Sequence, residues 1–312
     1  MITIEGLTKY FGDKCALNHL SFQVDSGEII GLVGKNGAGK STVLKILSAQ
    51  MLPSAGGVWV DGVSVTEQPQ AVRARLGYLP EVSPLYREMT VAGYLTFAGR
   101  LRQIPKDRIA DRLASVAEET GLSHVLRDPV AGLSRGYQQR VGIAQAMIHR
   151  PPVVLLDEPM GGLDPLQIVQ IRDLIHGMRG QHTVLFSSHI LSEITNVCDR
   201  VVLIDQGTVR AEGSEEALRR DLSPWRKLSL QVRGAQTKVR QVLEGISGVT
   251  VQGISESEKG LVYAQLALEK DMREAVGKAC SGGGLGLLEM KSEADGLEDL
   301  FMQLVGTGEN AA

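Results

Sequence analysis

No stretch of the 312-residue sequence approaches the ~18 consecutive apolar residues that a membrane-crossing helix requires. The chain is therefore not expected to span a bilayer by that route. The apolar core of a signal peptide is missing too. Met1–Tyr10 carries Glu5 and Lys9 among its apolar residues and reads as a strand. Cysteine is scarce: Cys15, Cys198 and Cys280 stand far apart. That excludes the paired spacings of zinc and redox motifs and suits a reducing cytosol. An excess of either charge is also missing, the formal net charge being -3. The balance gives no general pull toward nucleic acid or an anionic membrane surface. Internal repeats and low-complexity segments are absent, apart from a fraying end at Gly306–Ala312.

What remains is a 43% hydrophobic chain, long enough for one large and one small domain. Short apolar runs alternate with helical patterns from Met1 to about Arg220. Ile29–Val33, Val153–Leu156, Val184–Phe186 and Val201–Ile204 are too short for helices and too continuous for half-exposed strands. They read as buried strands of an α/β sheet. Ile2–Glu5, Leu20–Val24 and Val58–Val60 look antiparallel, with turns at Asp25-Ser26-Gly27 and Asp61-Gly62. A helical insertion is expected over about 84–150, its periodic stretches stopped at Pro105, Gly121 and Pro129. The large domain is expected at 1–222 and an accessory domain at 223–312, with a joint at Ser223-Pro224. The accessory segment reads β-α-β-β-α-β, an order that suggests a ferredoxin-like domain. Its strands are Lys227–Val232, Val249–Gly253, Leu261–Leu268 and Leu285–Lys291. Its helices are Thr237–Leu243 and Met272–Cys280, with a last helix at Leu297–Leu304.

The run Gly34-Lys35-Asn36-Gly37-Ala38-Gly39-Lys40-Ser41 matches the phosphate-binding pattern G-x-x-x-x-G-K-[ST]. A strand precedes it, and Thr42–Ala49 reads as the helix that follows. Gly34, Gly37 and Gly39 let the backbone around Asn36 turn its N–H groups inward. The helix N-terminus adds positive potential at the same point. Lys40 is expected to neutralise the β- and γ-phosphates, Ser41 to hold Mg²⁺ and Thr42 to add a phosphate contact. The strand Val153–Leu156 ends in Asp157 and Glu158. Neighbours on a strand point opposite ways, so the two carboxylates should differ in role. Asp157 is expected to reach the metal, and Glu158 to act beside the γ-phosphate as general base or water positioner.

Between these motifs, Leu133-Ser134-Arg135-Gly136-Tyr137-Gln138-Gln139-Arg140 resembles the signature of ABC-type ATPases, with Arg135 where the family has glycine. Gly162-Leu163-Asp164-Pro165 resembles the D-loop and Ser187-Ser188-His189 the switch-histidine segment. Tyr10-Phe11-Gly12 is similar to the adenine-stacking loop. Leu76-Gly77-Tyr78-Leu79-Pro80-Glu81 is similar to the Q-loop, with Glu81 in place of glutamine. These likenesses cover Met1 to about Arg220.

The resemblance implies a P-loop core of ABC type with an antiparallel β subdomain and a helical insertion, followed by a small α+β domain. It implies ATP and Mg²⁺ as cofactors, with Lys40, Glu158 and His189 serving hydrolysis. Ser41, Asp157 and Glu81 would stand near the metal. Phe11, with Tyr10 as second choice, would stack on adenine. Ser134 and Gly136, just before a helix expected at Gln138–His149, would close with Asp164 over the nucleotide of a second chain. A head-to-tail dimer, of two copies or of paired ATPases, would then drive a separate membrane permease from the cytoplasmic side. Pro80-Glu81, the Arg135 signature and the segment Leu297–Leu304 are together similar to export-type ATPases associated with bacterial gliding. Nucleic-acid-acting relatives carry either a very long insertion before the signature or two fused ATPase halves. Here fewer than 100 residues separate the two motifs and only one half is present, so no nucleic-acid partner is expected. A regulatory ATPase that gates a membrane complex would carry the same motifs.

Overall fold

The computed structural model describes residues 1–195, 197–222, 226–257 and 260–293. The chain forms two compact units, the first Met1–Glu215 and the second beginning at Glu216. In chain order the first unit runs β1 (Ile2–Phe11), β2 (Lys14–Val24), β3 (Ile29–Val33), α1 (Lys40–Leu47), β4 (Ala55–Val60) and β5 (Val63–Ser64). It continues with α2 (Pro69–Arg75), β6 (Leu76–Leu79), α3 (Val91–Leu101), α4 (Ile109–Glu119), α5 (Arg135–Met147) and β7 (Val153–Leu156). It ends with α6 (Pro165–Gly177), β8 (Thr183–Ser188), α7 (Leu191–Thr195), β9 (Arg200–Asp205) and β10 (Thr208–Gly213).

The central sheet has the order β10-β9-β3-β8-β7-β6. β9, β3, β8, β7 and β6 are parallel, and β10 returns antiparallel on β9. Every residue of β3, β6, β7 and β8 is buried, as strands covered on both faces must be. Register aligns their ends: Val33 pairs with Ser188, Leu156 with Phe186, and Leu79 with Leu156. The segments that follow β3, β6, β7 and β8 therefore leave one edge of the sheet together, where open α/β sheets hold ligands.

A second, antiparallel sheet has the order β2-β1-β4-β5. Asp61 and Gly62, both with positive φ (52° and 73°), make the two-residue turn between β4 and β5. Leu44, Leu47, Leu155 and Leu185 share one core cluster with Ile4, Leu7 and Val58, so α1 is packed among residues of both sheets. The helical insertion is α3, α4 and α5. Thr90 caps α3 by accepting from the Gly93 N–H. Left-handed Gln103 (φ 59°) and Gly121 (φ 68°) follow the ends of α3 and α4, so α3 stops four residues before Pro105.

The second unit contains α8 (Glu215–Leu222), which starts one residue before the division, then β11 (Arg226–Arg233), α9 (Gln236–Glu244) and β12 (Val249–Glu256). β13 (Leu261–Leu268), α10 (Arg273–Gly282) and β14 (Gly286–Glu293) complete it. Its antiparallel sheet has the order β12-β13-β11-β14, a split β-α-β arrangement. Leu228, Leu230, Val232, Leu243, Val262 and Leu266 anchor a core of its own. The expected joint at Ser223-Pro224 and last helix at Leu297–Leu304 lie outside the described residues.

Candidate functional site

The glycine loop occupies the six residues between β3 and α1. Close approach of other segments dictates two of its glycines. A Cβ at Gly34 would run into the Ile204 carbonyl oxygen. Gly39 has φ 113°, and a Cβ there would stand 2.6 Å from Leu17 Cδ2. The helix begins at Lys40, two residues before the sequence suggests, so Lys40 and Ser41 belong to its first turn. The free N–H groups of that turn and the loop make an anion seat. Lys40 is buried. Its Nζ donates to Gly34 O at 2.7 Å and Lys35 O at 3.3 Å, and lies 3.4 Å from Glu158 Oε1.

Asp157 leaves β7 with its N–H donating to Leu79 O. Its Oδ1 accepts from Ser41 Oγ at 3.0 Å and Ser187 Oγ at 2.7 Å. Burial pushes its carboxyl above the ordinary range. The two serine hydroxyls pull it back, and the charges of Glu81 and Glu158 push it further up. Ser187 Oγ also accepts from the Glu158 N–H at 2.8 Å, tying the ends of β7 and β8 together.

Glu158 turns the other way, but strand alternation is not the reason. β7 has ended at Leu156, and Glu158 sits in the left-handed region at φ 47°. Strain of about 1–3 kcal/mol accompanies such a conformation in a non-glycine residue. The turn sends Oε1 toward Lys40 and lets Oε2 accept from His189 Nδ1 at 2.9 Å.

These groups line a cleft of about 810 Å³. Of the expected residues, Phe11, Asn36, Gly37, Gly39, Lys40, Ser41, Thr42, Glu81, Glu158 and His189 are in its wall. Phe11 presents a half-exposed ring with Lys9 Nζ 5.4 Å from its centroid, whereas Tyr10 is outside the lining. Gly34 and Asp157 stand behind the lining, bonded to Lys40 and Ser41.

Three expected residues are not brought to the cleft. Helix α5 begins at Arg135, not Gln138, so Ser134 is its N-cap residue and Gly136 lies inside its first turn. The Ser134 side chain makes no capping bond. Gly136 is buried, and a Cβ there would stand 2.7 Å from Gln167 Cδ. Asp164 caps α6, its Oδ1 accepting from the Gln167 N–H at 2.9 Å. Conversely, the cleft contains Lys14 and Arg135, to which the sequence assigned no role. Lys14 enters because the Gly12-Asp13 turn pairs it with Phe11. The signal for Arg135 was its departure from the signature pattern.

A buried strand, a glycine loop, a helix starting at lysine and serine, and an acid on a neighbouring strand end define a P-loop nucleoside triphosphatase. The family model described as ABC transporter matches residues 17–161. The chain is similar to the uncharacterized ABC transporter ATP-binding protein YxlF of Bacillus subtilis. Identity is 30%, over 98% of this chain and 99% of that protein. It is also similar to the bacitracin transport ATP-binding protein BcrA of Bacillus licheniformis, at 30% identity over 99% of this chain and 98% of the other. A solved ATP-binding subunit of an ABC transporter superposes with TM-score 0.64 at 32% identity. That likeness covers 72% of this chain and 93% of the other. The chain belongs to the ATP-binding subunits of the ABC transporter family and is an ATPase.

Proposed function

We propose that this ATPase works as one of a head-to-tail pair that encloses two ATP and drives a separate membrane permease. The observation that carries the reading is a division within one chain. Lys40, Ser41, Glu158 and His189 meet in one cleft, while Ser134 and Asp164 are outside its lining. A second chain would bring its Ser134 and Asp164 to the open side. In this reading the 1–222 segment is the ATPase domain and 223–312 an accessory domain. Peripheral association with the cytoplasmic face of the membrane follows from the permease partner.

Ser41 and Asp157 fit a Mg²⁺ ion: a hydroxyl and a carboxylate are hard oxygen donors, already 3.0 Å apart. Among the described residues no group of three or more His, Cys, Asp or Glu side chains could hold a metal. Phosphate oxygens and water would complete the shell, as is usual for this ion. The ion's chemistry would be to neutralise charge between the β- and γ-phosphates. Lys40 and the loop N–H groups bind the phosphates, and Phe11 stacks the base. Glu158 accepts a proton from, or orients, the attacking water, and His189 holds Glu158 by the bond to Oε2. Glu81, exposed on the loop after β6, lines the cleft and would stand near the metal.

The direction of transport is proposed as export. BcrA serves bacitracin transport, and another full-length relative is a daunorubicin resistance protein of Streptomyces coeruleorubidus. Those names favour export of a toxic compound over the gliding-associated role suggested by Pro80-Glu81 and Arg135. In the test, Glu158→Gln should bind ATP, release little phosphate and sediment as a dimer with ATP. Adding Ser134→Arg should return it to the single chain with nucleotide still bound. A dimer that persists with Ser134→Arg would remove the signature from the interface.

A further inference from the structure

Arg135 stands where the signature pattern has glycine, and the signature divides around it. Ser134 and Gly136 are outside the cleft of their own chain, but Arg135 lines it together with Lys40, Glu158 and His189. Its guanidinium lies against Gly162. Measured from the Cβ that residue lacks, Cζ and Nη2 would stand at 2.6 and 2.7 Å. Glycine at 162 (φ 69°) thus leaves the seat that the arginine fills. Among the described residues the guanidinium has no hydrogen bond and no ion pair. Arg135 thus brings five N–H donors to the wall of a cleft that also contains the glycine loop.

Charge in the cleft sharpens the point. Glu81 and Glu158 line it and Asp157 backs Ser41, while Lys40 is held by Glu158 and two loop carbonyls. A triphosphate entering this acidic surround needs further cations. Lys14 is paired with Phe11 at the hairpin, on the side of the base. Arg135 rests on the Gly161-Gly162 turn, whose Gly161 N–H donates to Glu158 O, at the end of the cleft where Glu158 stands. No acidic residue in the first turn of α5 competes for it.

We propose that Arg135 binds the terminal phosphate of the nucleotide in its own chain's cleft, separating triphosphate from diphosphate before a second chain is engaged. This rests on the assignment of the cleft as the nucleotide site. A guanidinium grips phosphate through two parallel bonds, which a glycine cannot replace and a lysine replaces only as a point charge.

The test uses the full chain, titrated with MgADP and with the Mg²⁺ complex of the imidodiphosphate analogue of ATP. Arg135→Gly should weaken the triphosphate analogue about tenfold and ADP less than about twofold, with Arg135→Lys in between. Mixed chains decide which subunit acts. An Arg135→Gly chain mixed with a Lys40→Ala chain should keep the defect, because the only intact phosphate loop lacks its own arginine. Wild type mixed with a chain carrying both changes should bind normally. The reverse pattern, equal losses for both ligands, or no loss would overturn the proposal. Failure of wild type to bind either ligand would overturn the cleft assignment, and this inference with it.

Discussion

Asp157 carries a carboxylate in a place that is 1% exposed, and burial raises its proton affinity. A carboxyl with a raised native pKa favours folding while protonated and loses that contribution as pH climbs through the native value. Above the ordinary aspartate range the metal-free protein has therefore lost stability that it holds at lower pH. An asparagine oxygen could accept from both Ser41 and Ser187, as Oδ1 does. Asp157→Asn is expected to raise the Tm of the metal-free protein at pH 7. The gain should shrink toward zero as pH falls below the ordinary aspartate range, and MgATP hydrolysis should be lost. A scan of Tm against pH checks this, and a variant less stable than wild type at pH 7 would refute it.

Helix boundaries decide the element scale. Asp164 and Pro165 begin α6 with a side-chain cap and a proline in the first turn, two stop-start signals that reinforce each other. Asp164→Ala should cost about 1 kcal/mol, lowering the Tm by roughly 2–4 °C for a unit of this size. Asp164→Asn, which keeps the cap, should leave Tm near wild type in nucleotide-free protein. Equal losses in both would show that charge, not capping, stabilises the turn. This scale also shows what could be read in advance. The glycine loop, Asp157-Glu158 and the buried strands were legible because their residues are contiguous and their chemistry is local. The start of α5 was misplaced because Gly136 discourages a helix by propensity, while packing against Gln167 requires a residue without a Cβ there. The left-handed turn at Glu158 and the seat of Arg135 on Gly162 had no local signal. Both depend on segments that meet only after the sheet forms.

At the scale of the whole chain, the second unit has its own sheet and core, and none of the cleft residues belongs to it. Removing 216–312 is expected to leave a folded first unit whose affinity for ADP is unchanged. ATP-driven pairing or permease-coupled turnover should change instead, since an additional compact unit offers surface for contacts. Calorimetric titration with ADP, followed by sedimentation with ATP, separates the two effects. A truncated chain that is insoluble would place the division elsewhere.

Both oxygens of Glu158 are engaged, one near Lys40 and one with His189. A base so occupied is poorly placed to take a proton from water. Phosphate arriving at Lys40 competes for the ammonium and releases Oε1 toward the incoming nucleotide. On the proposed reading, loading and arming are one event: the fuel itself removes the safety catch, and an idle subunit has no competent base to misfire with.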